Sequence, residues 1–268
     1  DEVSGAASFA LRDYAEAIVG SGFPGILGAA PRLRNGLLNA YLQRVIDRDL
    51  PEQGYEVRRP ETLRRWLAAY GAASSTTTAY SRLLDATTAG DGAQPAKTTT
   101  IAYRDRLTQL WLLDPVPGWT PANSAISNLQ QAPKHQLADP ALAARLRQIT
   151  SSALLGPAGA HMMGPLFESL VTLGVRVAAQ AAEARVSHLR LHGGDREVDL
   201  IVEGAEGQIL GIEVKLAPAV TDSDVRHLLW LRDQLPGRVV DLVVVTTGST
   251  AYRRPDGVAV VPLALLGA

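Results

Sequence analysis

Apolar positions return at helical spacing through the first part of the chain, and as alternations or continuous runs through the last part. Phe9, Leu11, Tyr14, Ala15 and Ile18 predict a helix over 8–19, ended by the glycine-rich stretch that follows Gly20. Leu37, Leu38, Tyr41, Leu42 and Val45 predict a second over 37–46, with Pro51 as its stop. Leu63, Trp66, Leu67 and Tyr70 form the stripe of a third over 61–70, closed by Gly71. A short helix over 78–85 and a turn over 89–92 come next. The helix predicted over 97–110 has Ile101, Leu107 and Leu110 as its apolar face, with Thr100, Tyr103 and Arg104 turned outward. These short helices, followed by Trp111–Leu113 and then Lys134–Leu137, predict a helix-turn-helix with a β-hairpin wing.

Gly156–Gly159 reads as a linker, and the pattern changes beyond it. An Ala/Val/Leu-rich helix over 165–182 carries Glu168. Strands are predicted over 186–192, 197–203 and 208–216, then a helix over 222–235, then strands over 239–246 and 258–263. The run 239–246 is almost wholly apolar, as in a strand buried on both faces. The fold class expected is a multi-part α/β chain. Its parts are a helical segment over 1–58, a winged-helix-like module over 59–155 and an α/β domain over 156–268.

Composition narrows the function classes. The chain has 268 residues, 46% hydrophobic and 20% charged, as expected of a folded protein. A net charge of −1 supplies no global positive field to attract nucleic acid. With no cysteine, disulfides, thiolate metal sites and thiol catalysis are excluded, and a reducing, cytoplasmic setting is expected. No run of eighteen apolar residues suggests a membrane-crossing helix, so no membrane partner is expected. The start at Asp1, with no basic-then-apolar leader after it, reads as a piece of a longer protein.

The chemistry concentrates near the carboxyl terminus. Glu213 and Lys215 alternate with Val214 on one strand and share a face, and Asp199 lies between Val198 and Leu200 on another. Charges in apolar strands are costly unless they pair or bind metal. Two carboxylates suit Mg²⁺ or Mn²⁺, which take hard oxygen ligands and keep water in the remaining positions. Asp199 and Glu213 are the expected metal ligands. Glu168 would orient a ligand water, and Lys215 would stabilise developing negative charge, a set suited to phosphodiester hydrolysis.

Glu168 on a helix, Asp199 on a strand and Glu213-Val214-Lys215 on the next resemble the PD-(D/E)XK nuclease-like superfamily. The resemblance implies a restriction-endonuclease-like αβββαβ domain with Glu168, Asp199, Glu213 and Lys215 as its catalytic set. Further blocks extend it over the whole chain: Gly22-Phe23-Pro24, Arg48-Asp49-Leu50, Pro133 through Asp139, and Gly164-Pro165-Leu166-Phe167-Glu168. In that order they resemble the carboxyl-terminal domain of unknown function carried by many bacterial and archaeal AAA+ ATPases. This likeness implies an ATPase region amino-terminal to Asp1, which would hold the ATP. No G-x-x-x-x-G-K-[ST] phosphate loop occurs in the chain itself.

A second set of candidates lies in the winged-helix-like module. Lys97, Thr99, Thr100, Tyr103 and Arg104 on one helix, with Lys134 on the wing, would contact DNA or RNA. Three readings therefore stay open. They are a metal-dependent nuclease domain, a non-catalytic scaffold for a protein partner or a second copy (as in a toxin–antitoxin or signalling assembly), and a winged-helix DNA-binding regulator. Gly20-x-Gly22-x-x-Gly25 matches a dinucleotide fingerprint only formally, because it follows a helix and contains Pro24.

Overall fold

The computed structural model describes residues 2–87, 96–120, 126, 129 and 131–267; the turn predicted over 89–92 lies outside them. The early elements are β1 (Gly5–Ala6), α1 (Leu11–Gly20), α2 (Pro31–Arg44), α3 (Leu50–Glu52), α4 (Pro60–Ala72), α5 (Tyr80–Thr87) and α6 (Lys97–Gln109). Then come α7 (Pro140–Leu146), α8 (Ser151–Leu155), α9 (Ala160–Ala181), β2 (Arg185–Arg190), β3 (Glu197–Glu203) and β4 (Ile209–Lys215). The chain finishes with α10 (Asp222–Gln234), β5 (Val239–Thr246), β6 (Thr250–Arg253) and β7 (Ala259–Pro262). The fold is mixed α/β and divides into two compact units. One holds Ala15–Pro115 and Lys134–Ser169; the other holds Asp1–Tyr14, Val116–Pro133 and Leu170–Ala268.

The helical unit is organised on α4. Its predicted stripe of Leu63, Trp66, Leu67 and Tyr70 is buried, and α4 packs against α5 and α7. Pro51 does not stop the second helix. A π-helical turn over Val45–Asp49 carries the chain into α3, with the Leu50 N–H bonded back to the Val45 carbonyl. The wider turn accommodates a proline that would otherwise meet the preceding carbonyls. Two short helices were absent from the expectations. Asp139 caps α7 by accepting the Ala141 N–H at 2.8 Å, with Pro140 in the first turn, and Thr150 caps α8.

Where a wing hairpin is predicted, Leu113 bridges Leu137, flanked by bonds from the Asp114 N–H to Gln136 O (2.9 Å) and the Ala138 N–H to Leu112 O (3.1 Å). No longer strand occurs there among the described residues. Gly156–Gly159, expected as a linker, is a tight turn inside this unit. A Cβ at Gly159 would lie 2.7 Å from the Ala153 carbonyl oxygen.

The other unit carries a seven-stranded, mostly antiparallel sheet in the order β1-β6-β7-β5-β4-β3-β2. The β4–β5 and β5–β7 pairs are parallel. α10 forms the crossover from β4 to β5 that a parallel pair requires, and packs on both. Its Val225, Leu228 and Leu231 join Val198, Ile201, Ile209, Leu242 and Val244 in one core. β6, not predicted, is a four-residue strand next to the sheet edge, too short and polar to show an alternation. Residues 198–201 are all buried, so β3 is covered on both faces rather than half-exposed.

α9 is 22 residues long and, by length and composition alone, apolar enough to cross a membrane, but half of its most apolar stretch is buried, and the core helix of a folded domain has the same character.

Candidate functional site

The sheet brings three of the predicted residues together. Leu200 on β3 pairs with Ile212 on β4, so Asp199 and Glu213 stand at the next step of the two antiparallel strands. Both are nearly buried, at 9% and 7% exposure. The Asp199 Oδ2 accepts the Val214 N–H at 2.9 Å, and the Lys215 ammonium donates to Glu213 Oε1 at 2.9 Å. Burial works against the Lys215 charge, but the Glu213 carboxylate, with Asp199 and Asp224, outweighs it and raises the ammonium above its ordinary pKa.

Asp224, missed in the sequence, belongs to this electrostatic group. It sits in the first turn of α10, where its carboxylate accepts the Thr221 N–H at 2.8 Å. Burial would raise its carboxyl. The Thr221 hydrogen bonds and the charges of Lys215 and Arg254 overcome that effect and hold the pKa below the usual aspartate value. Thr221-x-x-Asp224 is a capping signature that the sequence does offer.

Among the described residues, no group of three or more His, Asp or Glu is assembled to hold a metal ion. The donor set on the sheet is two carboxylates with an ammonium beside them. That set fits Mg²⁺ or Mn²⁺, which bind through one or two carboxylates and retain water.

Glu168 is found in the helical unit, on α9. Its Oε1 accepts from the Lys134 Nζ at 2.9 Å, and the Lys134 side chain is 2% exposed. Around this pair, the Ser75 hydroxyl donates to the Pro165 carbonyl at 2.8 Å, and the Gln136 side-chain amide donates to the Ser75 oxygen at 2.9 Å. Asp139 also accepts from the Ser21 hydroxyl (2.7 Å) and the Gly22 N–H (2.8 Å). The sequence blocks around Gly22, Lys134 and Pro165 are thus tied together as structural anchors.

The nucleic-acid contacts predicted in this unit need correction at three positions. Lys134 is not on an exposed wing but buried in its ion pair. Thr100 and Tyr103 are buried. The Thr100 hydroxyl donates to the Lys97 carbonyl at 2.8 Å, and the Tyr103 ring meets Trp66 and Tyr55 at 5.9 and 6.0 Å. Thr100, Tyr103 and Leu107 form the inward face of α6, while Ile101 is exposed. Lys97, Thr99 and Arg104 keep solvent access, with the Arg104 guanidinium 5.3 Å from the Tyr80 ring centroid.

Residues 11–153, more than half of the chain, match a family described as a domain of unknown function, DUF8612. The chain belongs to the DUF8612 family. Beyond the DUF8612 region, residues 163–266 match a second domain of unknown function, DUF4143, which covers β3, β4 and α10 and therefore Asp199, Glu213 and Lys215. No curated protein matches the chain. Protein VC1899 from Vibrio cholerae, a solved crystal structure, is similar at 15% identity over 96% of this chain, with a TM-score of 0.29. The chain spans 58% of the length of that protein.

Proposed function

We propose that the DUF4143-like part of the chain is a PD-(D/E)XK-type domain that binds a divalent metal and hydrolyses or holds nucleic-acid phosphodiesters. The observation carrying this reading is the placement of Asp199 and Glu213, nearly buried on neighbouring strands with Lys215 ion-paired beside them. The succession α9, β2, β3, β4, α10, β5 also supports it, being the αβββαβ order such domains use. Asp199 and Glu213 would hold Mg²⁺ or Mn²⁺. The ion would supply Lewis-acid polarisation of the phosphate and a more acidic bound water.

The chain's own residues supply the rest. Lys215, kept cationic by Glu213, Asp199 and Asp224, would stabilise the negative charge that grows on the phosphoryl oxygens. The Val214 N–H fixes the Asp199 carboxylate. Lys97, Thr99 and Arg104 are the accessible residues for guiding DNA or RNA. The wider assignment is a cytoplasmic protein in which this chain follows an AAA+ ATPase region that binds ATP.

The experiment is cleavage of single-stranded and branched DNA and of RNA with Mn²⁺ or Mg²⁺. Activity lost in Glu213→Gln and in Lys215→Ala, in variants with unchanged circular dichroism, supports the reading. Activity indifferent to both substitutions overturns it.

A second reading, a non-catalytic scaffold for a protein partner, draws on one observation. Glu168 is engaged by the buried Lys134. On that reading both lysine–carboxylate pairs serve stability alone.

A further inference from the structure

The helical unit contains a second concave site, built from other residues. α1, α2, α7 and the turn into α8 enclose a cavity of about 150 Å³, lined among others by Glu16, Arg34, Asn35, Arg145, Gln148 and Ser151. That is room for about five waters, well short of the ~300 Å³ at which drug-sized pockets begin. The cavity suits a small group rather than a whole nucleotide.

Its chemistry is cationic. Two arginines line it against one carboxylate, and that carboxylate already accepts the Ser151 hydroxyl at 2.6 Å. Arg145 is held in place from behind, its Nε donating to Asn39 Oδ1 on α2 at 2.7 Å. The Arg34 Nε is buried and has no acceptor among the described residues. A buried guanidinium N–H left without an acceptor is costly, and an anion in the cavity would meet it. Planar guanidinium forks are matched to the oxygens of phosphate-like groups, and Asn35, Gln148 and Ser151 add neutral polar groups at the rim.

We infer that this cavity binds a tetrahedral oxyanion, the phosphoryl group of inorganic phosphate or of a nucleic-acid backbone. The site lies entirely within the helical unit and does not rest on the metal reading of the sheet.

The test is calorimetric titration of the full chain with inorganic phosphate, at constant ionic strength set with chloride. Saturable binding is expected. Loss of one charge-assisted contact in Arg34→Gln weakens it roughly tenfold or more. Glu16→Gln, which removes the one carboxylate lining the cavity among the described residues, tightens it. The exposed Arg82→Gln leaves it unchanged. A short single-stranded oligonucleotide is then titrated against bound phosphate. Competition that depends on Arg34 assigns the phosphoryl group to nucleic acid, and phosphate binding without competition assigns it to the free ion. Two results overturn the inference: no saturable phosphate binding by the wild-type chain, or binding that is the same in wild type, Arg34→Gln and Glu16→Gln with all three folded by circular dichroism.

Discussion

The Asp199 carboxylate accepts a hydrogen bond from the Val214 N–H at 2.9 Å, across the β3–β4 pair. A side chain thereby takes up a strand amide just past the last paired step, Leu200 with Ile212. Asp199→Ala leaves that amide without its acceptor and costs about 1–3 kcal/mol. Asp199→Asn retains a carbonyl oxygen and costs less. Urea denaturation of both variants checks the order. Equal losses would show that the bond contributes nothing specific.

The buried pair of Lys134 and Glu168 behaves differently from a surface ion pair. Lys134→Met removes the cation from a position of 2% exposure and takes the Nζ donor away from the Glu168 carboxylate. A loss of about 3–5 kcal/mol is expected. Adding Glu168→Gln to Lys134→Met recovers part of it. A double-mutant cycle by chemical denaturation reads the coupling, and additive losses would refute it.

Acid should weaken the fold through His135. The ring is buried against Tyr70 and Tyr80, at centroid distances of 4.8 and 4.9 Å, and its Nε2 lies 2.7 Å from the Thr78 carbonyl. A carbonyl can only accept, so Nε2 carries the proton. A second proton would go to Nδ1, which is buried with no partner among the described residues. Burial lowers the His135 pKa below its ordinary 6.5, against a smaller opposite effect of the Thr78 bond. The unfolded chain therefore takes up the proton first. This stabilising contribution is complete above about pH 6.5 and is lost as pH falls toward the folded-state value. Denaturation series from pH 7.5 to 5 should show a shallower loss in His135→Gln than in wild type. Parallel curves would contradict the assignment.

Gly159 sits where the sequence suggests a flexible connection. In a linker an alanine would be harmless. Here its Cβ would meet the Ala153 carbonyl oxygen at 2.7 Å, and Gly159→Ala should destabilise by about 1–3 kcal/mol. A thermal melt decides it.

The regular parts of the fold were legible because burial imposed a simple period. β3 and β5 occupy 197–203 and 239–246, the ranges their apolar pattern predicts, and the α4 stripe is the one that is buried. β6 left no pattern, being a four-residue strand beside the sheet edge that ends in Arg253. α6 is rotated relative to its apolar pattern for a physical reason. Its inward face uses Thr100, whose hydroxyl donates to the Lys97 carbonyl, and Tyr103, whose ring packs on Trp66, while the aliphatic Ile101 faces out. The burial of Lys134 was equally hidden, because it depends on Glu168, thirty-four positions away. Asp199, Glu213 and Lys215 were visible because charges inside apolar strands stand out against their neighbours. Asp224 does not stand out in the same way, because a carboxylate in a first helical turn has an ordinary capping role.

On the proposed reading Asp199 and Glu213 hold a divalent ion. Calorimetric titration of Mn²⁺ into wild type and into Asp199→Asn/Glu213→Gln, with and without single-stranded DNA, tests it most directly. Saturable binding by wild type that disappears in the folded double variant is the predicted result. Absence of binding by the wild type under both conditions, or binding that survives the double substitution, would contradict it.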